Sequence, residues 1–277
     1  MESNLNGLNL SGMLEGANNS NSISSQIILN NLNTDGINLI AVDCLSSTNT
    51  VLKKLAAAGA PDKTVLIADC QTGGRGRLGK SFFSPNGTGL YMSVLVRAPM
   101  CADKALMVTP LIAVAVMNVI NRFAQNVKIK WVNDIYIGDK KVCGILTESA
   151  FNDMNTTDYI VIGLGLNVFP PDKNFPAEFA ARATSLFSNK DDCDIEKLTA
   201  MIIDSIFALL TDFDTEYIVS AYIQNSWLDG KSVNVSTVTD CYSAKVLGID
   251  EKLRLIVEKD SGEVVHLSSA DVSTACD

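Results

Sequence analysis

The sequence predicts an α+β body followed by a small all-β module, and three observations carry that prediction. Between Ile37 and Trp227, short apolar runs of strand character alternate with longer segments at helical spacing. From Asp229 onward only short β-rich stretches remain, separated by turns such as Asp260-Ser261-Gly262. The 277 residues are enough for one large domain and a small appended one. The expected division is a leader over residues 1–36, a body over 37–228 and the β-rich module over 229–277.

Residues 1 to about 24 are rich in Asn, Ser and Gly with isolated leucines, the pattern of a poorly ordered leader. A strand is expected from Ile37 to Val42. Ser46-Ser47-Thr48-Asn49 then offers capping side chains to a helix over Val51–Ala58, which Gly59 and Pro61 close. Thr64–Cys70 reads as a buried strand, Gln71–Thr88 as a glycine-rich loop and Leu90–Val96 as the next strand. A long apolar helix follows around Leu106–Ala124, with Pro110 in its first turn. Its apolar run is short for a bilayer and contains Thr109, Pro110 and Asn118, so it reads as a core helix. Three short strands, Lys128–Trp131, Ile135–Ile137 and Val142–Thr147, enclose a turn at Gly138-Asp139, and Tyr159–Leu164 adds another. Helices over about Ile195–Leu210 and Thr215–Trp227 end the body. The late strands are expected at Ser232–Val238, Ser243–Ile249, Leu253–Glu258 and Val264–Leu267.

A net charge of −9 argues against a broad nucleic-acid-binding surface, which would be basic. Anionic ligands must therefore meet a local concentration of cations. Seven of the 22 basic residues fall in three short segments: Arg75, Arg77 and Lys80; Lys128 and Lys130; Lys140 and Lys141. The seven cysteines are scattered, with no C-x-x-C pair and a single histidine, His266. A Cys/His zinc site is not expected, and the thiols read as reduced and mostly buried. The first residues lack the basic and apolar regions of a signal peptide, so a cytoplasmic location is expected, with no membrane partner.

The segment Gly74-Arg-Gly-Arg-Leu-Gly-Lys-Ser81 satisfies two phosphate-binding patterns at once, G-x-G-x-x-G and G-x-x-x-x-G-K-S. Both need the loop to open directly into a helix whose N–H groups hold the phosphates. Here it opens into Phe82-Phe-Ser-Pro-Asn-Gly-Thr-Gly89, which cannot sustain a helix. What remains is a solvated surface loop or an anion-binding loop. In the second case glycines let the backbone approach the ligand, and Arg75 and Arg77 offer forks for carboxylate or phosphate.

Lys130-Trp-Val-Asn-Asp134, followed by Lys140-Lys-Val-Cys-Gly-Ile-Leu-Thr-Glu148, forms a second charged segment. Strand alternation would put Lys130 and Val132 on one face and Trp131 and Asn133 on the other. Asn133-Asp134 fits a plain turn and Lys140-Lys141 a solvated hairpin edge. Beside an arginine loop, Asp134 suits Mg²⁺ and Lys141 a phosphate. Asn167, after Gly163-Leu-Gly165-Leu166, is either a turn former or a ligand to a nucleotide.

Together these segments resemble the biotin–protein ligase family over nearly the whole chain from about Ile37 onward. Ser47-Thr48-Asn49, Gln71 to Gly79, Lys130 to Asp134, Lys141 to Glu148 and Gly163 to Asn167 stand in the family's order at matching separations. Ala183-Thr184-Ser185-Leu186 is similar to a stretch before the family's late helices. The resemblance implies a catalytic domain with a mixed central sheet, like that of class II aminoacyl-tRNA synthetases, and a C-terminal SH3-like barrel. It implies ATP and Mg²⁺ as cofactors, biotin as substrate and a biotin carboxyl carrier domain of a carboxylase as partner. A homodimer through the catalytic sheet stays open.

The residue roles follow from the same resemblance. Arg77 and Lys141 would serve the carboxylate, the α-phosphate and the charge developing between them. Arg75 and Gly76 would belong to the loop that closes over the adenylate. Ser47, Thr48, Asn49 and Gln71 would meet biotin's ureido ring; Ser47 and Thr48 can also cap the helix that follows. Lys130, Asn133, Asp134 and Asn167 would lie on the nucleotide side, with Asp134 nearest Mg²⁺. Val132 stands where the family usually has proline. The winged helix-turn-helix of the family's bifunctional repressors has no expected counterpart, since about 36 Asn/Ser-rich residues cannot supply its core. Lipoate–protein ligases share the fold and chemistry, against which stand the Gly-Arg-Gly-Arg loop and the late β-module. A non-catalytic biotin sensor and a P-loop phosphotransferase are the other rivals. Lys80→Ala separates the latter, because a biotin–protein ligase should keep most of its activity without that lysine.

Overall fold

The computed structural model describes residues 12, 14, 18, 23–172, 175–237 and 239–274. Helix α1 (Ser25–Asn31) precedes strand β1 (Asn38–Leu45), helix α2 (Thr48–Ala57), and strands β2 (Thr64–Gln71) and β3 (Gly89–Val96). Helices α3 (Ala102–Leu106) and α4 (Val108–Ile120) lead to strands β4 (Val127–Lys130), β5 (Asp134–Ile137), β6 (Lys140–Phe151) and β7 (Thr157–Asn167). Helices α5 (Ala177–Ala180), α6 (Ile195–Thr211) and α7 (Thr215–Gln224) follow. The chain ends in β8 (Ser232–Ser236), β9 (Cys241–Ile249), β10 (Leu255–Lys259), β11 (Val264–Leu267) and β12 (Asp271–Ser273).

The first seven strands form one mixed sheet in the order β1-β2-β3-β7-β6-β5-β4. Helix α2 is the crossover that makes β1 and β2 parallel; every other pairing in the sheet is antiparallel. Apolar side chains of α2 (Val51, Leu52, Leu55) cover one face of β1–β3, packing on Val42, Leu66 and Leu95. On the other side of the sheet α4 packs on β4, β5 and β6, and α6 and α7 pack on α4. Strand β3, sandwiched between these layers, is buried at all eight positions, which is why it reads as a continuous apolar run. The window Ala102–Ile120 is apolar enough to cross a membrane, yet 67% of it is buried inside the fold, as befits a core helix.

Two expectations need correction, the strand alternation through Asn133 and the state of the cysteines, and two need refinement. Residues 25–36 of the expected leader, beyond the stretch to about residue 24 that reads as poorly ordered, pack on the body. Ser24 caps α1, Ile28 is fully buried against the body, and the Asp204 carboxylate accepts hydrogen bonds from Asn33 and Thr34. This seven-residue helix is too short to show a period, and the remaining residues of that leader lie largely outside the described residues. The expected apolar helix is α4, with Pro110 in its first turn; Leu106 instead ends the short helix α3 before it and points to solvent at 75% exposure. Strand alternation stops at Lys130, because Trp131-Val132-Asn133 forms a turn whose first peptide bond is cis. The cysteines are not mostly buried thiols. Cys44 and Cys70 face each other across the parallel β1–β2 pair at a Cα separation of 4.8 Å and form a disulfide. Of the remaining described cysteines Cys143 is buried, Cys193 partly so, and Cys101 and Cys241 are exposed.

The C-terminal sheet is antiparallel throughout, in the order β11-β10-β9-β8-β12. Among the described residues β11 and β12 do not pair, so the sheet is open and the expected barrel closure is absent from its hydrogen bonding.

Candidate functional site

The start of α2, the loop 71–82, the turn 131–134, strands β6 and β7 and the edge strand β12 enclose a cleft of about 690 Å³. That volume suits a ligand of nucleotide or drug size. Ser47, Thr48, Asn49, Gln71, Arg75, Gly76, Arg77, Lys130, Asn133, Asp134 and Lys141 all line it. Eleven of the twelve expected site residues therefore meet in one place. Asn167 does not line it. Its amide donates to Thr184 O at 3.1 Å and its carbonyl accepts from Leu186 N at 2.9 Å, so it splices the end of β7 to the segment 184–186.

One end of the cleft is a neutral network set by the start of α2. Thr48 donates through its backbone N–H to Gln71 Oε1 at 2.9 Å. Ser93 donates to Asn49 Oδ1 at 2.6 Å and lies 2.7 Å from Thr48 Oγ1. Asn49 Nδ2 donates to Leu146 O and to Glu148 Oε2, both at 3.0 Å. Gln71 Nε2 reaches Ser84 Oγ at 3.0 Å. Each polar group in this buried corner is thereby held in one orientation. Ser47 sits at the helix N-cap without a capping side-chain bond and lines the cleft. Strand β7 comes this close only because Gly163 and Gly165 lack side chains. A Cβ at Gly163 would run into the Asn49 amide, and one at Gly165 would stand 2.6 Å from the Phe82 ring.

Glu148, which closes the Lys141 to Glu148 segment, ties this corner to the arginine loop. Lys53 Nζ lies 2.8 Å from Oε1, and Arg75 Nη1 lies 3.4 Å from both carboxylate oxygens. Burial alone would raise this carboxyl; hydrogen bonds from Lys53 and Asn49 and the charges of Lys53 and Arg75 outweigh burial and hold it below its ordinary value. The loop itself is a small hairpin. Arg75 and Ser81 bridge, Phe82 N donates to Gly74 O at 2.9 Å and Gly76 N to Lys80 O at 2.7 Å. Only Arg77–Gly79 is helical, a single 3₁₀ turn, so neither phosphate-loop pattern meets the helix it needs.

The other end of the cleft is charged. Lys141 Nζ pairs with Asp134 Oδ1 at 2.8 Å across the β5–β6 hairpin, and both side chains are about three-quarters buried. Arg77 Nη1 donates to Asn133 Oδ1 at 3.2 Å, and Asn133 Nδ2 donates to Ile145 O at 2.7 Å. Tyr222 holds the turn from behind by donating to Val132 O at 2.9 Å, and Trp131 Nε1 donates to Leu253 O at 2.9 Å. Burial pushes the Tyr222 hydroxyl up, so it stays a neutral donor. Lys130 is buried with its Nζ over the Tyr136 and Trp227 rings at 5.4 and 5.5 Å. Cys143 is fully buried and its thiol is pushed up, which makes it inert packing. Among the described residues no three His, Cys, Asp or Glu side chains cluster to hold a metal. Asp134 alone fits a Mg²⁺ ion that arrives on a nucleotide and keeps its other ligands from phosphate and water.

Sequence reasoning missed five participants. Ser93 and Phe82 line up through β3 and the loop end without any pattern of their own. Glu148 was legible as the end of a motif but not as the partner of Asn49 and Arg75. Ser269 and Asp271 reach the loop from about 190 residues away in the chain, at 3.3 Å from Arg77 Nη2 and 2.7 Å from Lys80 Nζ.

The family model described as "Biotin/lipoate A/B protein ligase family" matches residues 41–167. The "Bifunctional ligase/repressor BirA" of Bacillus subtilis is 34% identical over 246 residues, covering 86% of this chain and 74% of that protein. The "Biotin--[acetyl-CoA-carboxylase] ligase" of Mycobacterium tuberculosis is 35% identical over 154 residues, 50% of this chain and 51% of that one. Among solved structures, the biotin protein ligase of Aquifex aeolicus in complex with biotin and ATP superposes with a TM-score of 0.69 at 26% identity. That match covers 85% of this chain and 97% of the other.

Proposed function

Because the chain belongs to the biotin/lipoate A/B protein ligase family, we propose that it activates biotin with ATP and attaches it to a lysine of a carboxylase carrier domain. One observation carries this reading: a single cleft with a neutral, rigid hydrogen-bonding corner at one end and the Arg77–Asn133 and Lys141–Asp134 pairs at the other. Biotin supplies a neutral ureido ring and an anionic tail, and ATP supplies the anionic partner.

In the first step the biotin carboxylate attacks the α-phosphorus, a C–O–P anhydride forms and pyrophosphate leaves. Two anions must approach each other, so the site has to offset their repulsion. Arg77 and Lys141 provide the positive charge, and Asp134 positions Lys141. Thr48, Asn49, Gln71 and Ser47 orient the ring, while Phe82 and the glycines of β7 shape the apolar path between the two ends. Arg75 and Gly76 belong to the hairpin that excludes water from the anhydride. Lys130, Asn133 and Asn167 lie toward the nucleotide, Asn167 by fixing the backbone of segment 184–186 rather than by facing the cleft. Mg²⁺ held by Asp134 and the triphosphate would neutralise phosphate charge. In the second step the carrier lysine attacks the anhydride carbonyl, an amide forms and AMP leaves. We read the open C-terminal sheet as the family's SH3-like module and place the protein in the cytoplasm, where its ATP is; burial of the apolar helix fits a protein that does not span a membrane through it.

The test is ATP–pyrophosphate exchange by the purified full chain, with biotin and with lipoate in parallel. Exchange with biotin alone supports the reading. Exchange with lipoate alone moves the chain to the sister activity, and exchange with neither overturns the mechanism.

A further inference from the structure

The hairpin 75–81 is fastened at its tip to a different sheet from the one that carries it. Lys80 Nζ meets both Asp271 oxygens, at 2.8 and 2.7 Å, and Arg77 Nη2 lies 3.3 Å from Ser269 Oγ. Asp271 is not on a loose tail. It opens β12, which pairs with β8 in the register Asp271–Ser236, Val272–Val235 and Ser273–Asn234. Ala270, Asp271, Val272 and Ser273 form a wall of the cleft. The hairpin is internally bonded, since Lys80 N donates to Arg77 O and Gly76 N to Lys80 O, so whatever restrains Lys80 restrains Arg77 with it.

We propose that Asp271 is a positioning residue: its ion pair with Lys80 latches the hairpin over the cleft, so that the C-terminal sheet sets how long the adenylate compartment stays closed. The proposal rests on the adenylation reading above. Charge gives the latch a second effect. An uncompensated carboxylate on the wall of this cleft would repel the triphosphate, and Lys80 cancels it. Side-chain exposures of 63% and 43% put the pair on the rim, in contact with water. An exposed pair shifts an opening equilibrium by about twofold to fivefold, enough to change how often the hairpin lifts and too little to abolish chemistry. This also accounts for the expected tolerance of Lys80→Ala.

Hydrogen exchange of the backbone amides of 74–82, measured on the ligand-free full chain, reads the latch without any substrate. Asp271→Asn and Lys80→Gln should each speed that exchange about twofold to fivefold, and the charge-exchanged Lys80→Asp/Asp271→Lys protein should restore protection. In parallel, with biotin and ATP but no carrier, the single variants should leak or hydrolyse biotinyl adenylate faster by a similar factor. In Lys80→Gln, which strands the Asp271 carboxylate, the KM for ATP should rise above that of Asp271→Asn, which removes it, while kcat for pyrophosphate exchange holds in both. High salt should loosen the parent toward Asp271→Asn and leave that variant unmoved. Should Asp271→Asn lower the melting temperature, Asp271→Glu keeps the charge and must retain protection. Unchanged loop protection in both single variants, or no recovery in the exchanged pair, overturns the latch. Absence of biotin-dependent exchange in the parent overturns the adenylation reading instead, and the ligand-free measurement still judges the latch.

Discussion

Lys141→Ala separates what the Lys141–Asp134 pair does for stability from what it does for chemistry. The substitution leaves Asp134 Oδ1, an atom sealed from solvent, without the ammonium 2.8 Å away. Breaking a fully buried pair costs about 3–5 kcal/mol and an exposed one at most about 1. With side chains 29% and 21% exposed, this pair falls between those limits, so about 1–3 kcal/mol is expected. For a chain of 277 residues that lowers the melting temperature by roughly 2–5 °C. Removing the cation beside the developing phosphate charge should slow biotin-dependent pyrophosphate exchange by about 10²–10³. The double variant Lys141→Ala/Asp134→Ala removes the stranded carboxylate, so it should recover most of the lost stability and none of the lost exchange. The reasoning is refuted if Lys141→Ala exchanges within about threefold of the parent at equal folding, or if the double variant regains activity along with stability.

Other expectations can be checked in the same assays. Gly165→Ala puts a Cβ 2.6 Å from the Phe82 ring; displacing that ring should raise the KM for biotin about tenfold with little change in melting temperature. Glu148→Gln should destabilise the protein at neutral pH. Because the folded carboxyl titrates below its ordinary value, that contribution is present above about pH 4 and is lost as pH falls through the folded value. The stability gap between parent and variant, followed by urea unfolding, should therefore narrow below about pH 4. Reducing the Cys44–Cys70 bridge frees a chain segment of separation 26, worth about 3.5 kcal/mol by chain entropy. Urea midpoints should respond to reductant in the parent and not in Cys44→Ser/Cys70→Ser. Ile28→Ala should cost about 2–4 kcal/mol, a value that a loose leader would not produce.

The body was legible from Asn38 to Gln224 wherever a residue's environment is set by its own neighbours in sequence. The apolar run of β3 and the periodic faces of α6 and α7 are local signals, and they fell where expected within a few residues. Strand order was not legible, since the placing of β7 between β3 and β6 depends on pairings far apart in sequence. The site was legible to the extent that its residues cluster in short motifs: Ser47 to Asn49, Gln71 to Arg77, Lys130 to Asp134 and Lys141. Its failures have physical causes. The alternation rule broke at Trp131 because the chain turns there, and the Asn167 amide was already committed to Thr184. The disulfide went unseen because only the parallel register of β1 and β2 brings Cys44 opposite Cys70.

That β12 walls the cleft bears on how far this protein can be taken apart. The seven-stranded sheet and the C-terminal sheet look like separable units by strand count, and a designer would be tempted to exchange one between relatives. Trp131 bonds to Leu253, Arg77 reaches Ser269 and Lys80 pairs with Asp271 across that boundary. A hybrid that joins the body of one ligase to the last 50 or so residues of another therefore inherits a mismatched pocket wall rather than a neutral appendage. Grafts of this kind should be cut so that the hairpin 74–82, the turn 131–134 and β12 travel together from one parent.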